Sequence, residues 1–306
     1  MLGRRRTLLV PLILLSAGLL CPAAGSPKIR VITTTLPVFS LAASAAGDEA
    51  TVENLIPPGV EPHDYQITSR DLRKLRQAQL ILINGLHLED WMNRYLDDPA
   101  TQKKVFPVAT GFDSDVIYGA TPLLGAGGRK PAPLPNPHFW LDPILARRAA
   151  DNILHRLQEA DPAHSAAYAT NAARLDAQLV ALHADFERDL QPLRSRPFIT
   201  SHDFFPYLAR RYHLNLAGVV EIVPEIDPSL RYIEQLAGMI RREKVRVLFV
   251  EPYFSSKLAN QLCLDLGVRR LELDPVETGP ATPSAYLDAM RQNLEHLKEG
   301  LRATTP

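Results

Sequence analysis

The sequence predicts an α/β fold of two (βα)-type lobes, each with a parallel sheet, joined by a single long helix. Short apolar runs alternate with helical segments over residues 28–84, and the same order returns over residues 198–301. Such alternation is typical of parallel sheets covered by helices on both faces. Between the two blocks, residues 142–190 are rich in alanine and strongly helical by propensity. Together these observations predict two lobes with a cleft between them.

Residues 1–25 have the order of a secretory signal and are set apart from the fold. Three arginines, Arg4–Arg6, are followed by the mostly apolar run Thr7–Leu20 and then by small residues. The run is shorter than the roughly 20 residues that a transmembrane helix needs. Lipid attachment at Cys21 is disfavoured by the bulky leucine before it, so we expect cleavage near Gly25 and an exported protein.

The first lobe is predicted to span residues 26–160 and to begin with short strands that alternate with helices. Residues 111–137 are rich in glycine and proline and are predicted to form a loop within this lobe. The predicted strands are Lys28–Thr33, Thr51–Ile56 and Leu80–Asn84, and the predicted helices are Pro37–Ala46, Ser69–Ala78 and Asp142–Ala160.

Residues 161–192 are predicted to form the helix that links the lobes. Asp161-Pro162 marks a break and a new helix start, because proline is favoured at the first helical position. Apolar side chains then recur at three- and four-residue steps and form one stripe. The members of this stripe are Leu175, Leu179, Leu182, Phe186 and Leu190. We expect such a strut to limit hinge opening between the lobes.

The second lobe is predicted to span residues 193–306 and to repeat the strand and helix order of the first. Its predicted strands are Phe198–Thr200, Leu214–Val220, Val245–Val250 and Arg270–Leu273, and its predicted helices are Phe204–Tyr212, Ser229–Arg242, Ser256–Leu266 and Ser284–Leu301.

The composition excludes several classes of protein. Lys plus Arg number 34 and Asp plus Glu also number 34, so the net charge is zero, whereas nucleic-acid binding needs a basic excess. A chain that is 46% hydrophobic and 22% charged lies in the ordinary globular range. Two cysteines cannot form a disulfide framework.

Four side chains stand where ligands bind in α/β proteins. His63, His202 and Asp274 follow predicted strands, and His138 lies in a proline-rich helix entry. The carboxyl ends of parallel strands form the edge at which such folds bind ligands. Each block contributes two of the four residues, which is expected if a metal ion lies in the cleft and joins the lobes.

Three imidazoles and one carboxylate suit Zn²⁺, whereas Ca²⁺ and Mg²⁺ prefer oxygen ligands. Mn²⁺ is the second choice, because it tolerates mixed ligands but binds more weakly. Four protein ligands close the coordination shell and favour transport or storage over catalysis. A secreted zinc hydrolase is the alternative from another class, and it requires that Asp274 is not a ligand. His87 is the rival ligand, and Glu61 and Asp203 are candidates to orient an imidazole.

At these residues the sequence resembles the metal-binding solute-binding proteins of bacterial ABC importers, a family whose two lobes are joined by a rigid helix. The resemblance covers essentially all of residues 28–301, and six motifs match in order. They are Gly59-Val-Glu-Pro-His63-Asp-Tyr, Asn84-Gly-x-x-Leu-Glu89-x-Trp91, Pro137-His138-x-Trp140-Leu-Asp-Pro143, Ser201-His202-Asp203-x-Phe205-x-Tyr207, Pro224-Glu-x-x-Pro228-Ser229 and Val250-Glu-Pro-x-Phe254.

The resemblance implies a function as well as a fold. His63, His138, His202 and Asp274 fall where the family has its four metal ligands, and His202 in the third place resembles the zinc-type members. The implied protein is a periplasmic, non-enzymatic zinc carrier that delivers its ion to an ABC permease in the inner membrane. We expect a monomer that binds no nucleic acid. Residues 120–136 lack the histidine-rich loop of many zinc-uptake members, which leaves metal capture to the main site or to a metallochaperone.

Overall fold

The computed structural model describes residues 27–63, 65–95, 98–119, 134–221, 228–252 and 257–302. The predicted export signal, residues 1–25, lies outside the described residues. Across the described ranges, no helix combines the length and apolar character that crossing a membrane requires.

The first lobe is built on a parallel sheet of four strands in the described part of the chain. Its strands are β1 (Arg30–Thr33), β2 (Thr51–Asn54), β3 (Leu80–Ile83) and β4 (Val105–Pro107), and its helices are α1 (Leu36–Ala46), α2 (Ser69–Gln77), α3 (Pro99–Gln102) and α4 (Pro143–Ala160). The strand order is β2-β1-β3-β4.

Local sequence signals explain where the helices of this lobe begin and end. Helix α2 starts with a capping box, in which Thr68 Oγ1 accepts from the Asp71 backbone N–H and the Asp71 carboxylate accepts from the Thr68 backbone N–H. Helix α4 is capped by Asp142, whose carboxylate accepts from the Ile144 N–H at 2.9 Å. Helix α1 ends at Gly47, which has a φ of 56°.

The long linking helix is confirmed. A short 3₁₀ turn, Pro162–His164, leads into α5 (Ser165–Leu190), and a second turn, Gln191–Leu193, follows it. The predicted apolar stripe of α5 is buried, together with Tyr168. Arg174 and Arg188 on its other faces are exposed, as expected for a helix with one apolar face.

The second lobe repeats the architecture of the first and confirms the predicted fold class. Its strands are β5 (Pro197–His202), β6 (Asn215–Glu221), β7 (Val247–Val250) and β8 (Arg269–Glu272), and its helices are α6 (Pro206–Tyr212), α7 (Leu230–Glu243), α8 (Lys257–Leu266) and α9 (Ala285–Arg302). The strands pair in parallel in the order β6-β5-β7-β8. The lobe boundaries at 26–160, 161–192 and 193–306 stay predictions.

One apolar core extends through both lobes. Helix α1 of the first lobe and α9 of the second pack against each other and against α5. The largest cluster of buried side chains runs from Val31 in β1 through Leu179 in α5 to Phe249 in β7. Burial of apolar surface contributes about 25 cal/mol per Å², so this shared core holds the lobes together strongly.

Buried hydrogen bonds also cross between the lobes beside the cleft. The Trp140 indole Nε1–H donates to the Pro275 carbonyl at 2.7 Å, and the Tyr286 hydroxyl donates to the Trp140 carbonyl at 2.7 Å. The Tyr207 hydroxyl donates to the Asn136 carbonyl at 2.8 Å. If the lobes parted, each of these buried bonds would have to be exchanged for hydrogen bonds to water.

Glu89 is a fully buried carboxylate at the carboxyl end of β3. It accepts hydrogen bonds from the Thr34 hydroxyl at 2.6 Å and from the backbone N–H groups of Asn84 and Gly85 at 2.7 and 3.0 Å. Burial raises the pKa of the Glu89 carboxyl to about 7, although the three donors act in the opposite direction. The folded protein therefore holds a proton here that the unfolded chain releases near its ordinary pKa of 4.5.

We expect Glu89 to make the metal-free protein less stable as pH rises from about 4.5 to about 7, by up to about 3 kcal/mol. Urea unfolding of the metal-free protein at pH 5.0 and 7.5 measures this loss. Glu89→Gln should lack this part of the pH dependence, and Glu234→Gln, at an exposed position, should keep it. An unchanged pH dependence in Glu89→Gln would contradict the assignment.

Candidate metal centre

Three imidazole rings meet in the cleft between the lobes. One ring nitrogen from each of His63, His138 and His202 lies within 4.8 Å of the other two. The ring centroids are 5.1 to 5.8 Å apart. The Nε2 atoms of His63 and His138 are 3.2 Å apart. Two nitrogens bound tetrahedrally to zinc at about 2.0–2.1 Å are about 3.3–3.4 Å apart, so this pair already has the spacing of two zinc ligands.

His63 lies on the loop between β2 and α2. The Gly59 N–H of this loop donates to the Thr278 carbonyl of the second lobe at 2.8 Å, which ties the loop across the cleft. The Trp91 indole N–H donates to the Pro62 carbonyl at 3.1 Å and holds the residue before the histidine. The His63 side chain remains partly exposed at the mouth of the cleft.

His138 is buried just before a 3₁₀ turn, Phe139–Leu141, that leads into α4. Its Nδ1 lies 3.0 Å from Asn136 Oδ1. The Asn136 amide nitrogen donates to the Asp203 carbonyl at 2.6 Å, so its oxygen faces the imidazole. The His138 Nδ1 therefore carries the proton, and the Nε2 lone pair is available for a metal ion.

His202 is the last residue of β5, and it is the one imidazole of the group of three that comes from the second lobe. Its Nδ1 lies 3.1 Å from Glu251 Oε1, on the segment that follows β7. A carboxylate at this nitrogen fixes the tautomer and leaves the other ring nitrogen for the metal. Both buried histidines are thus held by a hydrogen bond on the side away from the ion.

Burial keeps the imidazoles of His63 and His138 neutral. It lowers the pKa of His63 to about 4, and repulsion from His202 adds to this effect. Burial, followed by repulsion from the two neighbouring imidazoles, lowers the pKa of His138 well below its ordinary value. The neutral ring is the form that binds metal, so protons compete with the ion only at a lower pH than the ordinary imidazole pKa of about 6.5 implies.

Asp274 is not part of the group of three imidazoles. Its Oδ1 accepts from the Val276 backbone N–H at 2.6 Å, and Asn293 of α9 holds its backbone N–H and carbonyl at 2.8 and 2.7 Å. Within the described residues, Asp274 does not appear in either set of three ligating side chains whose atoms lie within 4.8 Å. The carboxylate stabilises its own loop.

Glu277 brings a carboxylate to the imidazoles. Its Oε1 lies 3.4 Å from His138 Nε2 and 3.8 Å from His63 Nε2. The side chain is fully buried, and neither oxygen has a hydrogen-bond partner in the described part of the chain. A buried carboxylate without hydrogen bonds is costly unless a cation compensates it. The donor set that the structure brings together is therefore three imidazoles and the Glu277 carboxylate.

The conformation of the loop from Asp274 to Glu277 explains why Glu277, and not Asp274, lies beside the imidazoles. Val276 has a φ of 64°, which is rare for a β-branched residue. The turn points the chain back into the cleft, so Glu277 reaches the imidazoles although Asp274 stands nearer the strand end. Strained backbone of this kind clusters at binding sites, where the surroundings compensate its cost.

Burial raises the pKa of Glu277 well above its ordinary value, and the nearby carboxylates of Glu61, Glu251 and Asp274 raise it further. When no cation is bound, the site therefore contains several carboxyl oxygens and imidazole nitrogens but little positive charge. A divalent cation would neutralise this excess and would be bound by it.

Sequence reasoning missed Glu277, Asn136 and Glu251 as partners of the imidazoles. Glu61 and Asp203 are the candidates that the sequence offers for orienting an imidazole, and in the structure Asn136 and Glu251 hold the Nδ1 atoms of His138 and His202. The signal for Asn136 was its position in the same proline-rich motif as His138. Glu251, which follows β7, is at a strand end like the predicted ligands.

The rival ligand His87 lies apart from the centre. Its ring nitrogen pairs with the Asp90 carboxylate at 3.0 Å, and its side chain is mostly exposed. It belongs to neither set of ligating side chains in the described residues.

Comparison with known proteins identifies the family. The family model described as "zinc-uptake complex component A periplasmic", ZnuA, matches residues 31–300. The chain belongs to the ZnuA family. Members of the ZnuA family are metal-binding solute-binding proteins of ABC importers and are not enzymes, which confirms the predicted class over a hydrolase.

Relatives within and around the ZnuA family differ in the metal that they are named for. The high-affinity zinc uptake system protein ZnuA of Bacillus subtilis (strain 168) is 28% identical over 281 residues, which cover 90% of this chain and 88% of that protein. The iron-binding protein YfeA of Yersinia pestis is 31% identical over 284 residues, which cover 91% and 88%.

A solved structure with the same fold is the solute-binding protein FpvC of Pseudomonas aeruginosa in complex with Mn²⁺. It aligns with a TM-score of 0.80 and 25% identity over 90% of this chain and 99% of that chain. Membership of the ZnuA family therefore gives a divalent metal as the cargo, and the choice of metal has to be argued from the donor set.

Proposed function

We propose that this protein binds Zn²⁺ in the periplasm and delivers it to an ABC permease of the inner membrane. The observation that carries the proposal is the group of three imidazoles with one buried carboxylate at the cleft. Nitrogen-rich donor sets of this kind suit zinc, whereas manganese prefers more oxygen ligands and stands lower in the Irving–Williams order.

In this proposal the ligands are His63, His138, His202 and Glu277. The spacing of the His63 and His138 nitrogens and the unsatisfied Glu277 oxygens support this set. Asp274, the fourth ligand expected from the sequence, acts instead on the loop that carries Glu277. A full set of four protein ligands suits a carrier, because no coordination position is left for a reacting water.

Zinc is expected to bind in preference to manganese. Protein purified without added metal should carry about one zinc per chain, as measured by elemental analysis. In competition titrations of metal-free protein, zinc should displace manganese even when manganese is in large excess. A stronger retention of manganese than of zinc would overturn the zinc assignment and would favour the manganese alternative.

The remaining partners follow from the same proposal. The export signal at residues 1–25 supports a periplasmic location, and the family description supports a permease as the receiving partner. We infer that the carrier acts as a monomer, because each chain supplies a complete donor set. A metallochaperone is an additional partner only if zinc enters this protein faster in the cell than the purified protein binds free zinc.

A further inference from the structure

A second set of ligating side chains shares the cleft with the three imidazoles. One oxygen each of Glu61 and Glu277 and a nitrogen of His63 lie within 4.8 Å of one another. His63 Nε2 is 3.9 Å from Glu61 Oε1 and 3.8 Å from Glu277 Oε1. Two ligands that each lie about 2.1 Å from one zinc ion are at most about 4.2 Å apart, so His63 can share an ion with Glu61 and with Glu277 at normal bond lengths.

We propose that Glu61, His63 and Glu277 form an outer position that receives Zn²⁺ before it reaches the three imidazoles. This inference rests on the proposed function of the centre. It assigns to Glu61 the role of a transient ligand that is used during entry and exit and is released in the loaded state.

Solvent exposure gives the direction of movement. The side chains of Glu61 and His63 are 34% and 24% exposed, whereas those of His138 and His202 are 2% and 7% exposed. Glu277 lies between the two positions and is fully buried. An ion that arrives from solvent therefore meets Glu61 and His63 first.

The two positions share His63 and Glu277, so the ion never has to leave all of its protein ligands at once. Moving inward exchanges Glu61 and bound water for His138 and His202. Stepwise exchange of this kind divides the dehydration of the cation into smaller steps, each compensated by a new protein ligand.

Charge distinguishes the two positions further. The outer position combines two carboxyl groups with one imidazole, and the inner position combines three imidazoles with the shared carboxyl group. The partly exposed Glu61 carboxylate near the mouth attracts a dication over a longer range than an uncharged ligand does. The outer position therefore governs the rate of capture, and the inner position governs affinity.

Rate measurements on Glu61→Gln test the proposal, because they separate a transient ligand from other roles of this residue. Zinc association with full-length metal-free protein is followed by stopped flow, and dissociation is followed with an excess of a chromogenic chelator. We expect both rates to fall by about tenfold, which corresponds to a barrier raised by about 1.4 kcal/mol, while the Kd changes by less than about threefold.

Asp90→Asn is the matched control, because Asp90 is an exposed carboxylate of the first lobe that belongs to neither set. It should leave both rates unchanged. The rates are also measured at about 1 M salt, where the Debye length is about 3 Å and long-range attraction is screened. The fall in both rates of Glu61→Gln should persist there.

Three results would overturn the outer position. They are unchanged rates, a fall in association alone that disappears at high salt, and a faster dissociation that weakens the Kd. The second result would mean attraction at a distance only, and the third would make Glu61 a permanent ligand. Failure of the wild type to bind zinc would refute the proposed function instead, so the two failures are distinguishable.

Discussion

Replacing His138 with alanine is expected to lower the zinc affinity by more than about 100-fold, because loss of an orienting partner alone costs about 10- to 100-fold and here a ligand is lost. His138 is buried, and its Nε2 lies close to both His63 and Glu277. The alanine leaves a gap that water cannot fill with the same donor strength. Competition with a chelator of known affinity measures the change.

The control for this variant is His155→Ala. His155 is an exposed histidine of α4 that pairs with Asp151, away from the cleft, and its loss should leave the affinity unchanged. His138→Gln is measured beside the alanine variant, because it keeps most of the side-chain volume and separates loss of the ligand from loss of packing. A zinc Kd within about threefold of the wild type in both variants would remove His138 from the site.

Glu277→Gln is expected to weaken zinc binding by at least about tenfold, whereas Asp274→Asn should leave the Kd within about threefold. Comparing the two variants distinguishes Glu277, which the structure brings to the imidazoles, from Asp274, which was predicted as a ligand from its position at a strand end. Asparagine at 274 keeps the oxygen that accepts from the Val276 N–H, so the loop should be preserved. Isothermal titration calorimetry with a competing chelator gives both constants.

Proton release gives an independent readout for Glu277. Because burial raises its pKa well above the ordinary value, the metal-free carboxyl holds its proton at higher pH than an exposed one, and zinc must displace this proton. Titrations in two buffers of different ionisation enthalpy should show proton release by the wild type and less release by Glu277→Gln. A larger affinity loss in Asp274→Asn than in Glu277→Gln would restore Asp274 as the ligand.

Much of the architecture could be predicted because the sequence pattern is strong. Runs such as Leu80–Ile83 have the length and apolar character of buried parallel strands, and the structure confirms a strand there. The regular stripe of α5 gave the linking helix. Strand β4 was missed because Val105–Pro107 is only three residues long and contains a proline, which gives no period to detect.

The site was predictable only in part for a physical reason. His63, His138 and His202 could be found from strand ends and proline-rich turns, and the structure brings them together. Glu277 could not, because its position depends on a left-handed Val276, a conformation that the sequence disfavours. Asn293 of α9 holds the Asp274 backbone from outside the local sequence, and a tertiary contact of this kind leaves no periodic pattern.

The core that α1, α5 and α9 share has a consequence for unloading. Wide opening of the two lobes would expose to water the apolar side chains that α1, α5 and α9 bury together. The cost would be comparable to that of partial unfolding. Cargo is therefore expected to depart through the cleft opening by movement of the loops around it. Release of the ion is then expected to require contact with the receiving transporter. The loaded protein in free solution is expected to retain its ion.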